Sequence, residues 1–77
     1  MYSQCVMKKI LPESSKDVEV ASIDIAWIPI KYAKKGKFLE LKINNRWENG
    51  WQIMSVGSKQ ETIESQEYTK HREVTDI

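Results

Sequence analysis

The sequence predicts a mainly β protein: a small antiparallel sheet curled into an SH3-like, partly open barrel, with a C-terminal arm that is helical or extended. Three observations carry this expectation. Lys37-Phe38-Leu39-Glu40-Leu41-Lys42-Ile43 alternates, with Leu39, Leu41 and Ile43 on one face and Glu40 and Lys42 on the other, the pattern of a half-buried strand. Asn44-Asn45 and Asn49-Gly50 follow it, and these residue types accept the left-handed backbone of tight hairpins. Strand-like runs of five to eight residues with short loops fill residues 1–57, which favours closing a sheet over stacking two layers. A four-stranded sheet covered by the C-terminal segment is the alternative.

In chain order, Gln4 to Leu11 alternates loosely and is rich in Cys, Val, Met and Ile, as a strand requires. Pro12 to Asp17 is a polar loop. Val18 to Ile28 is a second strand region in which Val18 and Val20 differ in parity from Ile23, Ile25 and Trp27. A β-bulge near Ala21-Ser22 would bring both sets to the core, and two faces buried by different layers would serve as well. Trp27 is then a core residue. Pro29 has no amide to donate, so it ends that strand or sits at an edge. Residues 30–36 read as a short helical turn or loop stopped by Gly36.

Residues 37–43 and 51–56 form a hairpin with a long connection, over which Trp47 folds beside Trp51. Trp51 belongs at the core edge. Ser58-Lys59-Gln60-Glu61 matches a capping box. Ile63, Tyr68, Val74 and Ile77 make no apolar stripe, however, and Glu67/His71 is a weak pair. The division is a β domain at 1–57 and an arm or short helix at 58–77.

A chain of 77 residues makes one domain at most. Its net charge of +1 is unevenly spread: 31–46 carries six basic residues and one acid, whereas 58–77 carries three basic and five acidic. Cys5 is the single cysteine, so no internal disulfide forms and nothing argues for a cross-linked secreted scaffold. No apolar run approaches 18 residues, and the first residues lack the pattern of a signal peptide. The expectation is a soluble cytoplasmic protein with no membrane partner.

Catalytic and metal chemistry lack their residues. His71 and Cys5 are each alone of their kind, without CxxC, HxxxH or clustered carboxylates. No nucleophile sits beside a base, and the three glycines are dispersed. The chain reads as a non-enzyme with no catalytic residue, no metal and no cofactor.

The candidate partner surface is Lys31, Tyr32, Lys34, Lys35 and Lys37, joined by Arg46 and Trp47. Cations hold phosphates without reading sequence and aromatics stack on unpaired bases. The same lysines equally suit an acidic protein surface, or serve only as a solvated turn that protects a sheet edge. Lysine outnumbers arginine here, which argues against base-specific readout. Trp47, beside a polar stretch, is the candidate exposed anchor.

Trp27-Ile28-Pro29, Lys31-Tyr32-Ala33, Gly36-Lys37, Leu39-Glu40-Leu41-Lys42, Gly50-Trp51 and Val56-Gly57 together resemble a family of short tailed-bacteriophage proteins. The ending Tyr68, Arg72, Asp76-Ile77 is similar to theirs. The resemblance spans about two-thirds of the chain. It departs at the polar 12–17 segment and at Ile30, where the family leads one to expect a charge. It implies an accessory protein acting in the host cytoplasm and brings no catalytic residue or cofactor. The functional expectation is a small binding protein that docks on a host or phage protein, with a nucleic-acid-binding barrel as the alternative. Self-association is compatible with either.

Overall fold

The computed structural model describes residues 1–62 and 70–73, residue 59 by its backbone alone. Among the described residues, five antiparallel strands make one sheet: β1 (Tyr2–Ile10), β2 (Ala21–Pro29), β3 (Phe38–Ile43), β4 (Arg46–Glu61) and β5 (His71–Glu73). Their spatial order is β2-β1-β4-β3-β5. The sheet is therefore open, with β2 and β5 as its edges. The mainly β, antiparallel and partly open character expected from the sequence holds.

The curl comes from β4. Its 16 residues pair with β1 along one part and with β3 along another. Register shifts interrupt the pairing at three places: Asn49-Gly50 lies opposite Glu40, Met54 is extra between Ser55 and Ile53, and 57–59 face Gln4. Extra residues on one strand bend it and increase its twist, so the sheet wraps over its own inner face. At one of these places Gly57 is held close: a Cβ there would sit 2.9 Å from the Gln4 carbonyl oxygen.

That inner face is the core. Cys5, Met7, Ala26, Ile28, Leu39, Leu41, Trp51 and Ile53 are buried, with Tyr32, Ala33 and Ile43 packed against them. The alternation of Leu39, Leu41 and Ile43 is thus realised, and Trp51 is 4% exposed. A 3₁₀ turn at Ile30–Tyr32 follows β2, and Gly36 at φ +89° turns the chain into β3.

Several expectations are corrected. The β3–β4 connection is not long: Asn44 and Asn45, at φ 49° and 67°, form a two-residue turn between the paired Ile43 and Arg46. The twist of such a turn suits a hairpin. Gly50, at φ +84°, serves the bulge and not the turn. Trp47 consequently lies in β4, opposite Lys42 and away from the core, whereas Trp51 pairs with Leu39 on the core side. The two rings are on opposite faces.

The second strand begins at Ala21, not Val18, and its register with β1 is unbroken, so there is no bulge at Ala21-Ser22. Val18 and Val20 belong to the preceding loop. Ser14 closes that loop, its hydroxyl donating to the Val20 carbonyl at 2.7 Å and accepting from the Val20 amide at 2.8 Å. Ala26 and Ile28 face inward, and Ile23, Ile25 and the half-buried Trp27 face outward. Trp27 is therefore not a core residue.

Ser58 to Glu61 is strand, so the capping-box helix does not form. β5 joins the edge of β3 instead of covering the sheet, pairing Leu39 with Glu73, Glu40 with Arg72 and Leu41 with His71. Ile63, Glu67, Tyr68, Val74 and Ile77, on which the reading of the arm partly rested, lie outside the described residues.

Candidate functional site

Two aromatic–cation clusters flank the β3–β5 pair, one on each side of the sheet. The first gathers around Tyr32, which the 3₁₀ turn sets against the core rim. Lys31 Nζ lies 5.0 Å and Lys37 Nζ 5.9 Å from its ring centroid, and His71 meets it edge-on at 5.5 Å. Lys37 also pairs with Glu73 at 3.4 Å. Lys34 and Lys35 stand exposed on the adjoining turn and make no side-chain hydrogen bond or ion pair among the described residues.

The second cluster is built on Trp47, 38% exposed. Strand pairing places Lys42 opposite it, and β5 brings Arg72 opposite Glu40 on the same outer face. Arg72 then does two things at once. Its guanidinium carbon is 4.2 Å from the Trp47 ring centroid, and its Nε donates to Glu40 Oε2 at 2.7 Å. Lys42 Nζ lies 5.9 Å from the same ring. A cation over the indole face is attracted by the ring quadrupole, and a carboxylate holding that cation fixes its place.

Beside Trp47 is a hollow of about 410 Å³ lined by Lys9, Glu40, Arg46, Trp47, Glu48, Asn49 and Arg72. Four of its five charged groups are already matched. Arg72 holds Glu40, and Lys9 reaches Glu48 at 3.4 Å while the Trp51 indole N–H donates to the same Glu48 oxygen at 3.2 Å. Arg46 makes no ion pair or hydrogen bond among the described residues, so its charge faces solvent unspent.

The sequence-predicted residues thus separate into two groups. Lys31, Tyr32, Lys34, Lys35 and Lys37 lie on or beside the Tyr32 cluster, whereas Arg46 and Trp47 line the hollow beside the second cluster, Trp47 on the outer face and Arg46 paired with the inward-facing Ile43. They do not share one face. Sequence reasoning missed Arg72, Glu40 and Lys42 as the frame of Trp47. The signal available was an acid in β3 and a base in the tail, but three residues of β5 give no periodicity by which to register them.

Among the described residues no three metal-ligating side chains come together. Cys5 is fully buried, its thiol leaning on the Ser3 carbonyl at 3.6 Å, and burial pushes its pKa up, away from the thiolate that nucleophilic chemistry needs. No helix among the described residues is long and apolar enough to cross a membrane. Comparison with protein-family models, with curated proteins and with solved structures gave no match.

Proposed function

We propose that this chain is a small non-enzymatic binding protein that docks, through the face centred on Trp47, on an acidic surface of another protein. The observation that supports it is the preset indole: Trp47 is exposed yet held by Arg72 at 4.2 Å, with the uncompensated Arg46 beside it. A fixed aromatic loses little freedom on binding and can supply much of an interface's energy. Lys34 and Lys35, on the other side of β3, would add attraction at a distance and so act on encounter. The resemblance to short tailed-phage proteins extends the proposal to an accessory protein in the host cytoplasm whose target is a host or phage protein.

Nucleic acid is the weaker reading on this geometry. Base stacking needs open aromatic faces, but Arg72 and Lys42 attend Trp47, and Lys31, Lys37 and His71 surround Tyr32.

The test is capture from nuclease-treated bacterial lysate with the tagged wild type and Trp47→Ala, followed by binding kinetics on the recovered protein. Trp47→Ala is expected to fold normally and weaken binding by at least about 2 kcal/mol, mostly through faster dissociation. Capture that depends on nucleic acid, or that is unchanged in Trp47→Ala, would remove this reading.

A further inference from the structure

The half of the outer face over β1 and β2 is built differently from the half around Trp47. Ile10, Ile23 and Ile25 are 54%, 62% and 58% exposed. In the β1–β2 register Val6 stands beside Ile25, Lys8 beside Ile23 and Gln4 beside Trp27. Lys8 is matched by Glu19 at 2.7 Å, so the strip carries no spare charge. Exposed apolar strips of this kind mark interaction sites.

The backbone says which occupant fits. Among the described residues β2 is an edge strand. Beyond its two ends the ladder continues with Leu11 N–H donating to the Val20 carbonyl at 2.8 Å and Ile30 N–H to the Met1 carbonyl at 3.1 Å. The hydrogen-bonded pairs therefore join odd residues of β1 to even residues of β2. Antiparallel alternation then turns the N–H and C=O of Ile23, Ile25 and Trp27 outward to the open edge. Ile25 agrees: its N–H donates to the carboxylate of its neighbour Asp24 at 2.8 Å. Pro29 falls in the same outward set, where a missing N–H breaks no bond to β1. Two of the residues with outward main-chain groups, Ile23 and Ile25, also carry the exposed apolar side chains of β2.

We propose that β2 pairs with β2 of a second copy, antiparallel, about a two-fold axis between the two Ile25 residues. Three arguments favour this occupant and this register. Ile25 is the middle of Ala21–Pro29, so an axis there pairs the whole strand. It sets Ile23 against Trp27 of the second copy and Asp24 against Ala26 of the second copy, whereas an axis at Asp24 would oppose two carboxylates. An axis at Ile25 also puts a hydrogen-bonded pair at the two-fold, made from N–H and C=O groups that β1 leaves open.

The outward strip is neutral, the uncompensated Lys34, Lys35 and Arg46 lie outside β1 and β2, and the Asp24 carboxylate of β2 lies on the opposite parity, set by this register against Ala26 of the second copy. Three isoleucines more than half exposed make a patch on the order of 300 Å², less than the roughly 800 Å² per partner of a standard interface. Main-chain pairing therefore carries much of the contact, and the dimer is concentration-dependent. The Asp24 carboxylate guards the edge in the monomer and yields the Ile25 amide on pairing.

Analytical ultracentrifugation of the full chain over a concentration series tests this. The wild type is expected to show a monomer–dimer equilibrium, weakened about tenfold or more by Ile25→Lys, which sets like charges at the axis, and unmoved by Trp47→Ala. Mild oxidation tests the register. Ile25→Cys should cross-link, since hydrogen-bonded antiparallel partners have Cα atoms about 5.5 Å apart, within disulfide reach. Ile23→Cys should not, because its copy lies four residues away, roughly 13 Å. The buried Cys5 takes part in neither. A wild type that stays monomeric throughout, a dimer indifferent to Ile25→Lys, or equal cross-linking by the two cysteine variants would each overturn the proposal.

Discussion

The two halves of the outer face share one sheet and one core, yet they differ in charge and in the state of their edges. Over β1 and β2 the exposed groups are isoleucines, the charge on that face is matched, and the main chain at the edge has no partner among the described residues. Around Trp47 cations gather on an aromatic held in place, with Phe38 as an exposed apolar neighbour in β3, and the neighbouring edge of β3 is taken by β5. The difference teaches that a core of eight buried residues constrains only the inward parity of each strand. The outward parity is left free of the core, and here it carries an apolar half and a charged half, the two surfaces proposed above for self-association and for a partner.

The largest expected effect is one that breaks both halves together. Leu41→Ala removes a fully buried side chain and should lower stability by about 2–5 kcal/mol, much of what a domain of this size has. Ile25→Ala, also a branched aliphatic in a strand but exposed, should shift stability by no more than about 0.5 kcal/mol. Urea unfolding of the pair checks this, and equal losses would mean that the outward strip is part of the core.

Gly57→Ala should cost about 1–3 kcal/mol, since its Cβ would press on the Gln4 carbonyl and the backbone must move. The same unfolding assay reads it; a neutral result would show that the β1–β4 crossing is not tightly held. Arg72→Ala should cost only about 1 kcal/mol in stability, because an exposed ion pair and one cation–π contact are each worth little. It should nevertheless change the Trp47 fluorescence, which Ile25→Ala should not. The smallest effect is on Lys34→Glu with Lys35→Glu. That protein should melt like the wild type and differ only in a slower, salt-sensitive association with an acidic partner.

The sequence shows some of this plainly and some not at all. Leu39, Leu41 and Ile43 declare their face because Glu40 and Lys42 separate them. In β2 both parities hold aliphatics, so alternation names two faces without saying which is inside; the small Ala26, not the larger Ile25, turns inward. Asn44-Asn45 and Asn49-Gly50 both signal positive φ, but a hairpin turn and a bulge make the same demand, and only the register tells them apart. Trp47 is legible as exposed from its polar neighbours. The Arg72–Glu40 frame that holds it is not, because it depends on a three-residue strand arriving from the far end of the chain.

The three tryptophans fall one to each region: Trp51 in the core, Trp27 on the apolar half and Trp47 on the charged half. Their indole N–H signals in a ¹⁵N spectrum therefore test directly whether the two halves are separate recognition surfaces. Raising the concentration of the protein alone should move the Trp27 signal and leave Trp47 and Trp51 in place. Adding the captured partner to dilute protein should move Trp47 and leave Trp27. If Trp27 and Trp47 respond together in both titrations, or if the partner moves Trp27 alone, the division of the outer face into two surfaces is wrong.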